Sequence, residues 1–145
     1  MTGDDVPEDK SYVLKGLASP DQLDNVHDLL EQAAGEHPSI NPMDVKLFET
    51  AILELANNVI QYGRPVGKVQ WEVTIRVSHD HIEADLDDTG QSFVPTEGSA
   101  MPDEDAEGGR GLAIAKAVVD QMEYQRIGDK NHWHMVRLLG HIPPG

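Results

Sequence analysis

Phe48-Glu49-Thr50-Ala51-Ile52-Leu53-Glu54-Leu55-Ala56-Asn57-Asn58-Val59-Ile60-Gln61-Tyr62-Gly63 reads as a long amphipathic helix closed by a glycine. Val45, Phe48, Ile52, Leu55, Ala56 and Val59 recur on one side at roughly 100° per residue. Glu54, Asn58 and Gln61 fall across from them, so a core stripe and a polar stripe separate within one element. Glu54 and Asn58 stand four residues apart and project from one face. A carboxylate and an amide at that spacing can share one metal-bound phosphate. The carboxylate takes a proton from a hydroxyl, and the amide oxygen helps to hold the cation. A merely solvated helix face is the plainer reading of such a pair. Against it, the stretch from Ala51 to Tyr62 has no lysine or arginine, whereas exposed helices mix signs. Two internal asparagines also lower helix propensity, and only Asn58 keeps the spacing from Glu54.

Working outward, Asn41-Pro42-Met43-Asp44 supplies a capping residue, a proline at the first turn and an early acid for this helix. Ser19-Pro20-Asp21 repeats the signal for a preceding helix, which carries Leu23, Val26, Leu29, Leu30 and Ala33 and is expected to end at Gly35. Ser11 to Lys15 reads as a short first strand. Val69 to Val77 and Ile82 to Leu86 alternate as strands with one wet face. Gly111 to Met122 reads as a helix. Tyr124 to Ile127 and His132 to Leu139 follow as a hairpin around Gly128-Asp129-Lys130-Asn131. These elements predict a two-layer α/β (α+β) sandwich: a mixed, mostly antiparallel sheet with helices on one face. Residues 1–10 are expected to be a disordered acidic tail, 11–140 one domain, and 141–145 an irregular tail.

The formal charge of −15 excludes direct nucleic-acid binding over most of the surface, because phosphate contacts dominate that affinity. It suits a basic protein partner. No apolar run approaches the roughly 20 residues that span a bilayer, and the acidic start is unlike a signal peptide, so a cytoplasmic protein without membrane contact is expected. With no cysteine, disulfides and thiolate metal sites are excluded. His79 with His81, and His132 with His134, have the spacing of residues on one strand face. No third ligand is evident beside either pair in the sequence, so a zinc site is not expected. No histidine sits in a helical phosphoacceptor segment, which argues against a two-component histidine kinase.

Two more elements follow the Glu54–Asn58 helix in order. Asp88-Thr89-Gly90-Gln91-Ser92-Phe93 comes after a strand, and Glu107-Gly108-Gly109-Arg110-Gly111-Leu112 opens a helix. In isolation the first is an ordinary turn and the second an ordinary glycine-rich loop. The glycines allow close approach of the backbone, and a helix start offers unpaired amides to an anion. The ordered trio resembles the N, G1 and G2 boxes of the histidine-kinase-like (GHKL, Bergerat-fold) ATPase superfamily. Within it, the single-domain length, Phe93 and the run to Ala115 most resemble the anti-sigma factor serine-protein kinases. The resemblance covers roughly Ser11 to Leu139.

That resemblance implies ATP and magnesium as cofactors. Glu54 would be the general base that activates the attacking hydroxyl, and Asn58 the magnesium ligand. Asp88, with Gly90, would select adenine, while Gly109, Arg110, Gly111 and Leu112 would cradle the phosphates. It implies a serine/threonine-protein kinase that phosphorylates an anti-sigma factor antagonist and sequesters a sigma factor, often as a homodimer. Two departures stand out. The loop from Thr96 to Glu107, where the family has its ATP lid, is acidic, and the family's threonine on the last strand is absent from Asn131-His132-Trp133-His134. They keep open a second class, a non-catalytic switch module that binds nucleotide or protein and sequesters a partner.

Overall fold

The computed structural model describes residues 10–92 and 107–139, with side chains in the second segment from Gly111 onward. The expected tails, apart from Lys10, and the acidic loop at 96–106 lie outside the described residues. The elements run β1 (Ser11–Leu17), α1 (Gln22–Glu36), α2 (Pro42–Tyr62), β2 (Gln70–Val77), β3 (His81–Asp88), α3 (Glu107–Ala117), β4 (Gln121–Ile127) and β5 (Lys130–Leu138). The strands form one sheet in the order β1-β2-β3-β5-β4. Every pairing among the described residues is antiparallel, the limiting case of the mostly antiparallel sheet expected.

Alternation decides which face is covered. Trp71, Val73, Ile75 and Val77 of β2, and Ile82, Ala84 and Leu86 of β3, are buried in one core with Phe48, Ile52 and Leu55 of α2 and Val26 and Leu30 of α1. Each such large side chain contributes about 1.5–3 kcal/mol through burial. The opposite face carries the intervening residues, among them Arg76, Asp85 and His134, and no described helix covers it.

The long helix starts and stops where its sequence signals stand. Asn41 accepts a hydrogen bond from the Met43 amide at 2.8 Å, Pro42 occupies the first turn, and the Gly63 amide closes the last turn on Val59 O. Other boundaries differ from the reading. Helix α1 runs through Gly35 to Glu36, and its cap residue is Asp21, whose side chain accepts from Ser19 Oγ instead of capping an amide. Tertiary contacts fix that end: Glu36 receives Lys10 Nζ at 2.6 Å and Tyr12 OH at 2.7 Å, which hold its carboxyl down at about 2. Helix α3 ends at Ala117, and Met122 belongs to β4. The switch is set by the sheet, since the Asp120 amide donates to Val136 O and Asp120 Oδ2 accepts from the Leu138 amide. The β4–β5 hairpin is correspondingly tight, with Ile127 opposite Lys130 and Gly128 at φ +61°.

Across the layers, Arg137 of β5 donates through Nε and NH2 to Oδ1 of buried Asp44, at 3.0 and 2.8 Å, and through NH1 to Val118 O at 2.7 Å. One guanidinium thus ties the start of α2, the end of α3 and the sheet. His27 of α1 pairs with Glu49 of α2.

Candidate functional site

Within the α2 polar stripe Gln61 is exposed, but Glu54 and Asn58 do not form a solvent face. Asn58 is only 5% exposed and Glu54 is half-buried. Helix α3 packs there: a Cβ built at Gly111 would lie 2.6 Å from Glu54 Oε1, so the carboxylate rests against the backbone of α3, and a side chain there would have to displace it. One turn on from Glu54, Asn58 Oδ1 is buried and accepts no hydrogen bond from the described residues. A buried amide oxygen left without a donor costs about 1–3 kcal/mol unless something takes its lone pair. A hard cation does so, which fits the magnesium expected at this position.

The glycine run is drawn into the helix itself. The sequence places it before α3, whereas the helix begins at Glu107, so Gly109 and Arg110 occupy its first turn. Amides of a first turn lack intrahelical acceptors and favour an anion. The Arg110 side chain lies outside the described side chains. Leu112 is fully buried in the core, so any contact it makes with a ligand comes through its backbone.

Asp88 ends β3 on the covered face, 3% exposed. Its Oδ1 accepts from the Gly90 amide and from Asn131 Nδ2, both at 2.8 Å, and the Trp133 indole also hydrogen-bonds the carboxylate. Burial raises its pKa above the usual carboxylate value, while those donors and the charge of Arg126 partly offset the rise. Gly90 is tightly placed: a Cβ there would stand 3.0 Å from Asp88 Oδ1 and 3.4 Å from Val69 Cγ2, so a side chain would have to displace one of them by a few tenths of an ångström. The Asp88 turn is also fastened to the end of α2: the Gln91 amide donates to Arg64 O at 3.0 Å, and Arg64 NH1 caps the carbonyls of Gln61 and Gly63. The helix of Glu54 and Asn58 and the strand end of Asp88 therefore belong to one framework.

Asn131 is the residue that sequence reasoning missed. Standing where the family threonine was sought, it is directly opposite Asp88 in the β3–β5 register. It is 3% exposed and donates to Asp88 and to the carbonyls of Gly90 and Gln91. Its own Oδ1 accepts from Tyr124 OH at 2.5 Å and Arg126 NH1 at 3.1 Å. Only the register of two strands distant in sequence could have announced it. Trp71, opposite Asp88 on the other neighbouring strand, is buried, and its Nε1 has no acceptor among the described residues. Both tryptophans are core residues.

The helix layer of this sandwich holds an acidic–amide pair, and a buried aspartate stands at a strand end of its covered face. The family model described as the histidine kinase-like ATPase domain matches residues 17–138. The chain belongs to that family, within the GHKL superfamily, and its fold is the ATP-binding sandwich the family shares. Among solved structures, a Mycobacterium tuberculosis protein, described as the RsbU and RsbW domains of Rv1364c, aligns with a TM-score of 0.64 at 19% identity. The alignment covers 91% of this chain and 33% of that one, so the chain spans about a third of its neighbour. The Acinetobacter baumannii histidine kinase AdeS aligns with a TM-score of 0.52 at 14% identity, covering 88% of this chain and 68% of that chain. At such identities the likeness is one of fold. A search of curated proteins found no match.

Proposed function

We propose that the chain is an ATP- and magnesium-dependent serine/threonine-protein kinase of the anti-sigma type, which phosphorylates an anti-sigma factor antagonist and sequesters a sigma factor. The observation that carries the reading is the approach of Gly111 to Glu54, with the unsatisfied Asn58 Oδ1 one turn on in the same helix and the Asp88 turn fastened to that helix's end. The family supplies ATP binding, and the motif resemblance described above supplies the anti-sigma branch. The likeness to a chain that contains an RsbW domain agrees with that branch at the level of fold.

Each residue then has a role. Asn58 Oδ1 would hold magnesium, whose charge neutralises the phosphates. Glu54 accepts the proton of a serine or threonine hydroxyl as its oxygen bonds to the γ-phosphorus and the bond to the leaving diphosphate breaks. Asp88 accepts the exocyclic amine of adenine, with Gly90 permitting the approach of the base. The first turn of α3, with Gly109, Arg110, Gly111 and Leu112, lies against the phosphates.

Calorimetric titration with ATP, with and without magnesium, tests this. Asn58→Ala is expected to weaken magnesium-dependent binding about tenfold or more. That factor matches the roughly 1.4 kcal/mol of a single lost ligand contact. Folded protein that binds no ATP would sink the reading. Binding that survives Glu54→Ala, with no phosphotransfer by either protein to any antagonist, would instead select the non-catalytic switch.

A further inference from the structure

The uncovered face of the sheet carries a cluster that the nucleotide site does not use. On β3 and β5, Asp85 stands directly opposite His134, and Asp87 opposite His132, so the four side chains form a two-by-two patch. One donor atom from each of Asp85, His132 and His134 lies within 4.8 Å of the other two. Asp85 Oδ1 is the hub, 2.8 Å from His134 Nδ1 and 3.2 Å from His132 Nε2. We propose that Asp85, His132 and His134 form a binding site for a borderline divalent transition-metal ion of the zinc class.

The geometry suits such an ion. Tetrahedral ligands at about 2.0–2.1 Å from zinc are spaced about 3.3–3.4 Å from each other. The Asp85 Oδ1–His134 Nδ1 distance must open by about half an ångström and the His132 one by about 0.1–0.2 Å to admit it. The second oxygen of Asp85 is held by Arg76 NH1 at 2.7 Å, which aims Oδ1 at the imidazoles as a single-oxygen ligand. That guanidinium is the main electrostatic cost. The outer partners offset it: His132 turns its other nitrogen to Asp87 Oδ1 at 2.5 Å, and His134 Nε2 lies 3.9 Å from Glu83 Oε1. A carboxylate behind a ligating imidazole fixes the ring and strengthens it as a donor. Two imidazoles and one carboxylate leave a fourth position open, and a cavity of about 430 Å³ lined by Glu123, Gln125, His132 and His134 adjoins it. Glu123 of β4 stands opposite His134 in the register and lines that cavity. The donor set separates this ion from magnesium, which prefers oxygen ligands throughout. The acidic chain also concentrates cations at its surface.

The other histidine pair does not form such a site. His79 is an exposed turn residue, whereas His81 lies in β3, so they do not share a strand face.

Titrating the nucleotide-free full chain with zinc chloride in a non-coordinating buffer tests the site. One ion per chain is expected, with binding weakened at least tenfold in His132→Ala and again in His134→Ala. His79→Ala should bind as the parent does. Saturating zinc should raise the melting temperature of the parent and not that of either β5 variant, since a ligand of the folded state stabilises it by mass action. Circular dichroism of the variants establishes that they fold, and Asp85→Asn offers a third, isosteric disruption. Absence of zinc binding, or binding that both histidine variants retain, would overturn the proposal and leave the cluster as surface ion pairs.

Discussion

Asp88 shows how the residue proposed to recognise adenine also carries a cost. A carboxylate 3% exposed is ionised against the penalty of burial, which is why its pKa is raised. The sign follows from that direction. Its favourable contribution to stability is fully present in acid, below the usual aspartate value, and is lost as pH rises through the raised value. Asp88→Asn should therefore melt no lower than the parent at pH 7 and should lose part of the parent's decline in stability between acid and neutral pH. The amide oxygen can still accept from Gly90 and Asn131. The same change places an NH2 or a singly available oxygen before an adenine amine. ATP affinity should fall tenfold to a hundredfold, the effect of about 1.5–3 kcal/mol for a hydrogen bond to a charged group. Thermal melts across pH and calorimetry on one variant check both halves. Asp88 drew notice in the sequence only through the motif resemblance, since Asp88-Thr89-Gly90 alone reads as an ordinary turn. Asn131 drew none, because its amide meets Asp88 across 43 residues of sequence. Asp85 and His134, 49 apart, were hidden in the same way, each reading locally as the wet side of its own strand.

Among the elements, those whose ends are written locally were read correctly and those whose ends are decided by the sheet were not. Helix α2 has its asparagine cap, its proline and its closing glycine in sequence, and the structure uses all three. Helix α3 offers no stop signal after Ala117. Val118, Val119 and Met122 continue a helical apolar pattern, and only pairing with β5 turns Gln121 onward into a strand. Gly35 looked like a terminator for α1, yet it lies inside the helix with open space where a Cβ would go. Gly35→Ala is therefore expected to stabilise the protein by about 0.5–1 kcal/mol, since alanine loses less backbone freedom on folding. Urea denaturation would check it. Gly111 gives the contrasting case, a helical glycine whose added Cβ would push on the end of the Glu54 side chain.

For the whole molecule, the sheet separates two kinds of surface. The covered side bears Asp88 and Asn131 beside the helices, and the open side bears the imidazole–carboxylate patch. The layers are held in register by Arg137, which reaches Asp44 across 93 residues and the end of α3 through Val118 O. Removing one partner of such a bridge leaves the other charge buried. Arg137→Leu is expected to cost on the order of 3 kcal/mol and to lower the melting temperature by roughly 10 °C, as calorimetric scans would show.

The two tryptophans of the chain both flank Asp88, one hydrogen-bonded to its carboxylate and the other facing it across the β2–β3 ladder. Tyr124 lies against the Trp133 ring at 4.7 Å between centroids. All the indole emission of the protein therefore originates around one carboxylate. A base that engages Asp88 should change the intensity or wavelength of that emission, while zinc on the far face should leave it much less affected. Stopped-flow fluorescence of the unlabelled protein would then follow nucleotide arrival in real time, with an optical probe that the fold itself has installed.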